Sequence, residues 1–344
     1  MNKLYSLLFG VMLATQASAQ VVLDATPGPN VPEGYRLEFS QIEYWHPRVD
    51  NGQHVINGKS YYLYDDNGRE YLRLDYDNVD YIDHGDYYEQ YRLDEFYVAQ
   101  EKRSYYTEKG QLKCESYHTF SPIDKDWTDE YALYTDFDET TGQPASIYYC
   151  KGKYEEGSDD VSSAMYKVVV EKYHGSIPEK AYLDLSTDNR KRGYTWQREF
   201  NDWGGISKEV FNYQDINIVD GEETEYSYSE ESTFAYDEHN NLLEHGFWAT
   251  SSSGNEESHT QKYVNEYDEN GLLLSALARP YSSYVSFSKV SYTWSKFDNP
   301  AGISKMSVAD FVNDKWYDIS GRRLAQKPDK PGLYIRNGKK MVIR

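Results

Sequence analysis

The chain has 344 residues, 57 acidic against 36 basic side chains, a formal net charge of −21 at pH 7, and 36 tyrosines. This acidic balance argues against nucleic acid as a partner, because a phosphate backbone is bound by a basic surface. Such a charge with few aliphatic residues is typical of disorder, but the tyrosines and tryptophans supply enough apolar area to build a core.

The first predicted element is a secretory signal peptide over residues 1–19. Lys3 precedes a short apolar stretch, and small residues at its end predict cleavage between Ala19 and Gln20. A Pro- and Gly-containing linker, 20–34, follows. The remaining chain has no apolar run long enough for a transmembrane helix, so no membrane anchor is expected. The predicted location is the outer-membrane surface or the medium, otherwise the periplasm.

A short pattern recurs through the predicted body, residues 35–301: an aromatic, a small polar residue, two variable positions, then Gly or Asn. Asp bonds its own backbone and Gly or Asn accepts a positive φ, so the pattern predicts β-hairpin turns. A period of roughly 31 residues holds two or three strands, which predicts roughly 15–20 strands in all. The turns begin at Tyr64, Tyr106, Phe137, Phe200, Tyr236, Tyr267 and Phe297.

Two of these turns continue as Tyr236 to Leu242 and Tyr267 to Leu273, the second with the sequence YDENGLL. They resemble the YD repeats of the Rhs and teneurin type, which implies a β-sheet punctuated by hairpins. The predicted fold is therefore all-β: antiparallel hairpin repeats in an elongated sheet or sandwich, with a small C-terminal β module. Pro178 to Leu185 is predicted to form a short helix.

Residues 302–344 contain ten Lys or Arg and four Asp, and this reversal of charge predicts a domain boundary. Their motifs are Y-D-x-x-G-R, G-x-Y-I and N-G-K-K before a basic last residue. The motif residues are Tyr317, Asp318, Gly321, Arg322, Gly332, Tyr334, Asn337, Gly338, Lys339, Lys340 and Arg344. The segment resembles the C-terminal sorting domain of the Bacteroidetes type IX (Por) secretion route, which implies a type IX-like secretion machinery as partner. The alternative is a basic pair of β-hairpins packed on the acidic body.

Cys114 and Cys150 are the two cysteines of the chain. Neither has a nearby second cysteine, which excludes a C-x-x-C redox or zinc motif. They are about one repeat apart, so neighbouring repeats could bring them together as a disulfide in an exported protein. Two separate small apolar residues are the alternative.

Motifs for catalysis are not found: the sequence has no H-E-x-x-H, no G-x-S-x-G and no phosphate-binding glycine loop. No metal or cofactor is therefore expected. The aspartates between Asp75 and Asp86 alternate with tyrosines, which favours a solvated strand edge over a calcium loop.

The leading hypothesis is a non-catalytic surface or secreted protein that binds glycan or protein. Trp203 and Trp248, beside predicted turns, are the candidate ligand-binding residues, while tyrosine pairs such as Tyr148-Tyr149 serve either the core or a ligand platform. One alternative is a secreted carbohydrate-active hydrolase with an Asp/Glu pair. Another is a structural spacer of the cell envelope.

Overall fold

The computed structural model describes residues 27–45, 55–84, 88–187, 190–219, 222–279 and 287–296, together with four short strands nearer the C-terminus. Sixteen antiparallel strands form one closed barrel, in which the first strand pairs with the last. They are β1 (Tyr35–Trp45), β2 (Val55–Tyr64), β3 (Glu70–Asp83), β4 (Tyr88–Tyr106), β5 (Leu112–Ser121), β6 (Asp126–Phe137), β7 (Pro144–Lys151), β8 (Ala164–His174), β9 (Ile177–Asp184), β10 (Arg190–Phe200), β11 (Ile206–Val219), β12 (Glu222–Tyr236), β13 (Leu242–Ser251), β14 (Glu256–Tyr267), β15 (Leu273–Arg279) and β16 (Phe287–Lys296).

The all-β antiparallel prediction is confirmed, and sixteen strands lie within the predicted number. The elongated sheet or sandwich is wrong. Pairing of β1 with β16, from Tyr35 opposite Lys296 to Trp45 opposite Phe287, closes the sheet on itself. The predicted helix at Pro178 to Leu185 is also wrong: all of it but Leu185 belongs to β9, where buried Ala181 and Leu183 alternate with exposed side chains at the period of a strand.

The recurring sequence pattern forms one type of hairpin turn. After Tyr267, the backbone nitrogen of Asp268 donates to the carbonyl oxygen of Leu272 at 3.0 Å, and Asp268 Oδ1 accepts hydrogen bonds from the amides of Asn270 and Leu272. Gly271 has a φ of +78°, the conformation for which the pattern needs Gly or Asn. The same backbone bond to the fourth residue recurs at Asp65, Thr107, Asn201 and Asp237.

The turn at Phe137 is one residue longer, because the amide of Asp138 donates to the carbonyl oxygen of the fifth residue on, Gln143, at 2.9 Å. The long interval between Phe137 and Phe200 contains a hairpin of another type, because β8 and β9 are joined by a short turn at Gly175, whose φ is +58°. The turn predicted from Phe297 lies outside the described residues. One hairpin, two strands long, is therefore the structural unit behind the period.

The aromatic that opens a turn also joins it to the preceding hairpin. The hydroxyl of Tyr106 donates to the carbonyl oxygen of Glu70 at 2.8 Å, and that of Tyr236 to the carbonyl oxygen of Ile206 at 2.6 Å. Glu70 and Ile206 are each the first residue of the strand after the previous turn of the pattern. A tyrosine at this position thus links adjacent hairpins by a hydrogen bond that phenylalanine cannot make.

Side chains along each strand alternate between two environments. In β10, Trp196 and Arg198 are buried, whereas Thr195, Gln197 and Glu199 are exposed. Side chains converge on the inner surface of a closed barrel and diverge on its outer surface, so the buried series faces the interior. The inner face holds the main core, formed by Ala132, Ile147, Tyr149, Val168, Val170, Ala181, Leu183 and Trp196.

The tyrosine pairs follow from the same alternation. Tyr149 points inward, is buried and stacks on Tyr166 with ring centroids 5.1 Å apart, whereas Tyr148 points outward beneath the ammonium of Lys167. Both members of this pair pack against neighbours within the barrel wall.

A separate sheet in the C-terminal segment is formed by β17 (Trp316–Asp318), β18 (Arg323–Leu324), β19 (Gly332–Arg336) and β20 (Lys339–Ile343). Its strand order is β18-β17-β19-β20.

Candidate functional site

The inner face contains a network of charges among tyrosines. Lys102 Nζ lies 2.6 Å from Glu115 Oε1 and 3.9 Å from Glu70 Oε1, and Glu115 also accepts the hydroxyls of Tyr134 and Tyr117. Burial alone would raise the pKa of Glu115, but Lys102 and the two hydroxyls together lower it. Burial raises the pKa of Glu70, which lies farther from the ammonium. These groups satisfy one another, so the network stabilises the interior and leaves few polar atoms for a ligand.

A concavity with a volume of about 730 Å³ lies on the outer face, across β9 to β13. We call it the outer groove. Strand register sets two lateral rows of outward side chains along it. One row runs from Asp184 through Gly193 and Gln214 to Ser227, and its neighbour runs Tyr182, Thr195, Asn212, Ser229 and Thr250.

Hydroxyl and amide groups therefore form the floor of the outer groove. Ser229 Oγ donates to Asn212 Oδ1 at 2.8 Å, which fixes the amide so that its nitrogen faces Thr195 Oγ1 at 3.5 Å. Gln214 Nε2 donates to Glu225 Oε1 at 3.0 Å. Gly193 has no side chain, which keeps the groove open between β9 and β11. Such a floor offers uncharged donors and acceptors to a ligand that carries many hydroxyls.

Exposed aromatic rings stand at two corners of this surface. Tyr182, on β9, ends the second row and is 37% exposed. Trp248, on β13, lies opposite Glu231 in the next lateral row, two residues before Thr250, and is 43% exposed. Of the two predicted tryptophans, Trp248 thus flanks the outer groove. Tyr182 was missed because its exposure depends on the side of the strand that it occupies, which the sequence did not settle.

The other predicted residue, Trp203, lies elsewhere. It occupies the turn between β10 and β11, packs edge-on against Tyr236 with centroids 5.0 Å apart, and is 47% exposed. The groove residues on β10 lie toward the opposite end of that strand. The structure therefore does not bring Trp203 and Trp248 into one site.

The charged side chains that line the groove are few, and each has a partner within the protein. Asp184 accepts the backbone amide of Ser186 at 2.9 Å, and the hydroxyl and amide of Ser186 lower the pKa of its carboxyl. The ammonium of Lys191 lies 3.4 Å from Glu223. The guanidinium of Arg192 bonds the Tyr194 hydroxyl at 3.2 Å. The lining thus contains an ionised carboxylate and two cations that already have partners.

Both cysteines are free and buried, so the structure contains no disulfide between them. Cys114 is on β5 and Cys150 on β7, with β6 between them. Cα atoms on alternate strands lie roughly 9.5 Å apart, beyond the reach of a disulfide. A strap, residues 152–163, covers them on the outer face, where Tyr154 packs against Tyr105 and Tyr131.

From Asp75 to Asp83 the aspartate-rich stretch is not a solvated strand edge, because β3 pairs with a strand on each side; Asp86 lies outside the described residues. Three of its carboxylates have separate partners. Asp75 accepts from Arg73, Asp77 from the backbone amides after it, and Asp80 from Lys125 and Tyr91. Lys125 and Tyr91 lower the pKa of Asp80 to about 2. Among the described residues, no three His, Cys, Asp or Glu side chains are grouped as metal ligands would be.

The predicted export signals are described in part. The cleavage site at Ala19 and Gln20 lies outside the described residues, as do Gly321, Arg322, Asn337, Gly338 and Arg344. The remaining sorting-motif residues fall in strands: Tyr317 and Asp318 in β17, Gly332 and Tyr334 in β19, Lys339 and Lys340 in β20. At the end of the linker, Asn30 bonds Asn241 and the carbonyl oxygen of His239 in the turn after β12.

The chain matches no protein-family model and no curated protein. Among solved structures it is similar to a porin-like protein from Bacteroides uniformis ATCC 8492, at 13% identity and a TM-score of 0.33, over 75% of this chain and 98% of that one. A porin-like protein from Bacteroides vulgatus ATCC 8482 gives 9% identity and a TM-score of 0.31, over 75% and 99%. TM-scores this low carry neither fold nor function over to this chain. The class is defined by the described strands themselves: a closed, sixteen-stranded antiparallel barrel.

The described part of the chain includes no helix with the length and apolarity needed to cross a membrane.

Proposed function

We propose that this protein is an exported, non-catalytic binding protein that takes a carbohydrate in its outer groove. One observation carries the proposal: serine, threonine and amide side chains line the groove together with the exposed ring of Tyr182, and the exposed ring of Trp248 stands in the adjoining lateral row. Sugars offer hydroxyls to such groups and C–H faces to aromatic rings, so this combination suits a glycan better than an apolar ligand.

The geometry does not favour the hydrolase alternative. A glycosidase needs a general acid with a raised pKa beside a second carboxylate. Among the described residues that line the groove, Asp184 is the one carboxylate, and its pKa is lowered by Ser186. The groove therefore supplies polar contacts without an acid–base pair.

The polar side chains of the outer face also support a location in which the barrel wall is surrounded by water. Across β10 to β12 its residues include Thr195, Gln197, Glu199, Lys208 and Glu231, and the last two form an ion pair at 2.8 Å. A lipid-facing barrel presents an apolar band instead. We place the barrel outside the bilayer, at the outer-membrane surface or in the medium.

A titration of the full chain with soluble plant and host polysaccharides tests the binding function, with tryptophan fluorescence and released reducing sugar followed together. Wild type should bind without product, and the double variant N212A/Q214A, which removes two amides from the groove, should lose binding. Sugar release would overturn the non-catalytic assignment. Binding that survives in the variant would place the site elsewhere, and silence with every polysaccharide would favour the spacer alternative.

The route of export is a second part of the proposal. Residues 302–344 serve as a sorting signal for a type IX-like machinery, supported by their motif resemblance and by the short strands that hold Tyr317, Tyr334 and Lys339. Deletion of the segment should move the protein from the surface or medium into the periplasm, as measured by cell fractionation. An unchanged extracellular amount would contradict this role.

A further inference from the structure

The outer groove also indicates which carbohydrates it takes. This inference rests on the proposed function, because it assigns a ligand class to the same site. We propose that the groove selects an uncharged oligosaccharide that lies across strands β9 to β13, with Tyr182 and Trp248 as stacking platforms at its two ends.

Direction follows from the strand register. The row from Tyr182 through Thr195, Asn212 and Ser229 to Thr250 crosses five strands nearly at right angles to them. Four steps of about 4.8 Å give a span of roughly 19 Å. Each step presents one hydroxyl or amide side chain toward the groove, so a linear chain of several sugars meets one polar group at each strand. A monosaccharide can reach only one end of this series.

Charge selection follows from the groups at the edge. Asp184 is ionised at neutral pH, and Ser186 lowers the pKa of its carboxyl further. Glu225 borders the same side and accepts a hydrogen bond from Gln214. Lys191 is already paired with Glu223. Arg192, the other cation of the lining, bonds the Tyr194 hydroxyl. A uronic acid or sulfated sugar would meet the two carboxylates while both cations of the lining already have partners, so repulsion disfavours it. A neutral sugar carries no such penalty.

The floor determines a third property. Because Ser229 orients the Asn212 amide, and Glu225 orients that of Gln214, the donors of the groove are fixed before a ligand arrives. Fixed donors reduce the ordering cost of binding. Affinity should therefore increase with each added sugar until both aromatic platforms are covered.

Calorimetric titration of the full chain tests this inference with neutral gluco-, xylo- and manno-oligosaccharides from disaccharide to hexasaccharide, and with oligogalacturonides of the same lengths. We expect the affinity for a neutral series to rise with the length of the oligosaccharide. The affinity for an oligogalacturonide of the same length should be lower by a factor of at least about ten. Y182A and W248A should each lower the affinity for the longest neutral ligand about tenfold. The two variants should differ from each other in their effect on the affinity for the disaccharide. W203A, an equally exposed ring in a turn, is the matched control and should bind as wild type does.

The outcomes separate the two claims. Equal or tighter binding of the oligogalacturonides, or affinity independent of length, would overturn the selectivity while leaving the binding function intact. Loss of binding in W203A but not in W248A would move the site to the turn and overturn the groove. No binding of any carbohydrate would overturn both the inference and the proposed function.

Discussion

Arg198 and Lys208 each pair with a glutamate on the next strand, but on opposite faces of the barrel wall. Arg198 is 3% exposed, and it donates to Glu209 at 2.5 Å and to the carbonyl oxygen of Pro178 at 2.9 Å. Lys208 faces outward and reaches Glu231 at 2.8 Å in contact with water. An ion pair between a cation and a glutamate therefore contributes to stability on the inner face and contributes little on the outer face. Outer side chains can thus contact a ligand without a loss of stability.

The largest test of this comparison is R198A. Removal of the guanidinium leaves Glu209 and the Pro178 carbonyl without their buried partner, so we expect a loss of about 3–5 kcal/mol in the free energy of unfolding. K208A is the outer control and should leave stability unchanged within error. Urea denaturation of both variants measures the difference, and equal effects would remove the distinction between the two faces.

The strap region is the exception on the outer face, and C114S tests it. Cys114 has no exposed surface beneath residues 152–163, so a hydroxyl there is buried among Leu133, Cys150 and Tyr154. We expect a loss of about 1–3 kcal/mol, because the hydroxyl is desolvated in an apolar cluster. C114A, which adds no polar atom, is the matched control. A serine variant as stable as the alanine variant would show that the strap admits water.

Local chemistry made part of this architecture predictable. Residues such as Asp268 and Gly271 specify their turn through contacts within five residues, so the turns and the number of strands could be derived from the sequence. Closure could not, because it depends on Tyr35 meeting Lys296 across the whole chain, and hairpin repeats are equally compatible with an open sheet. The C-terminal resemblance gives no information on closure either.

The outer groove was hidden for a related reason. Thr195, Asn212 and Ser229 are ordinary polar residues in three separate strands, and only the register makes them neighbours. Trp248 was found because a large ring near a turn is conspicuous, but the same criterion selected Trp203, which lies outside the groove. The alternation of polar residues along one strand shows which face of that strand is exposed. It does not show which residues of other strands lie beside them to form a site.

A smaller effect tests how hairpins are joined. In Y236F the hydrogen bond to the Ile206 carbonyl is lost while the ring remains, and burial raises the pKa of the Tyr236 hydroxyl to about 12. We expect a loss of about 1 kcal/mol by chemical denaturation. Y226F, at an exposed tyrosine, should be neutral. Equal stability of both variants would leave only the ring as the reason for an aromatic at this position.

The smallest predicted effect has the opposite sign and concerns Glu230 on the inner face. Burial raises the pKa of this carboxyl, and Glu209 and Glu257 raise it further, against the hydrogen bond from Tyr228. Because the folded-state pKa lies above the unfolded value of about 4.5, its contribution to stability is present at low pH and is lost as pH rises through the folded pKa. E230Q should therefore unfold at a slightly higher temperature than wild type at pH 7, and the gain should vanish near pH 4.

E115Q, at a carboxylate whose pKa is lowered by Lys102, should instead be less stable at pH 7. Destabilisation of both variants at neutral pH would mean that Glu230 has a cationic partner in solution, and that the inner face balances its charges more completely than its described contacts indicate.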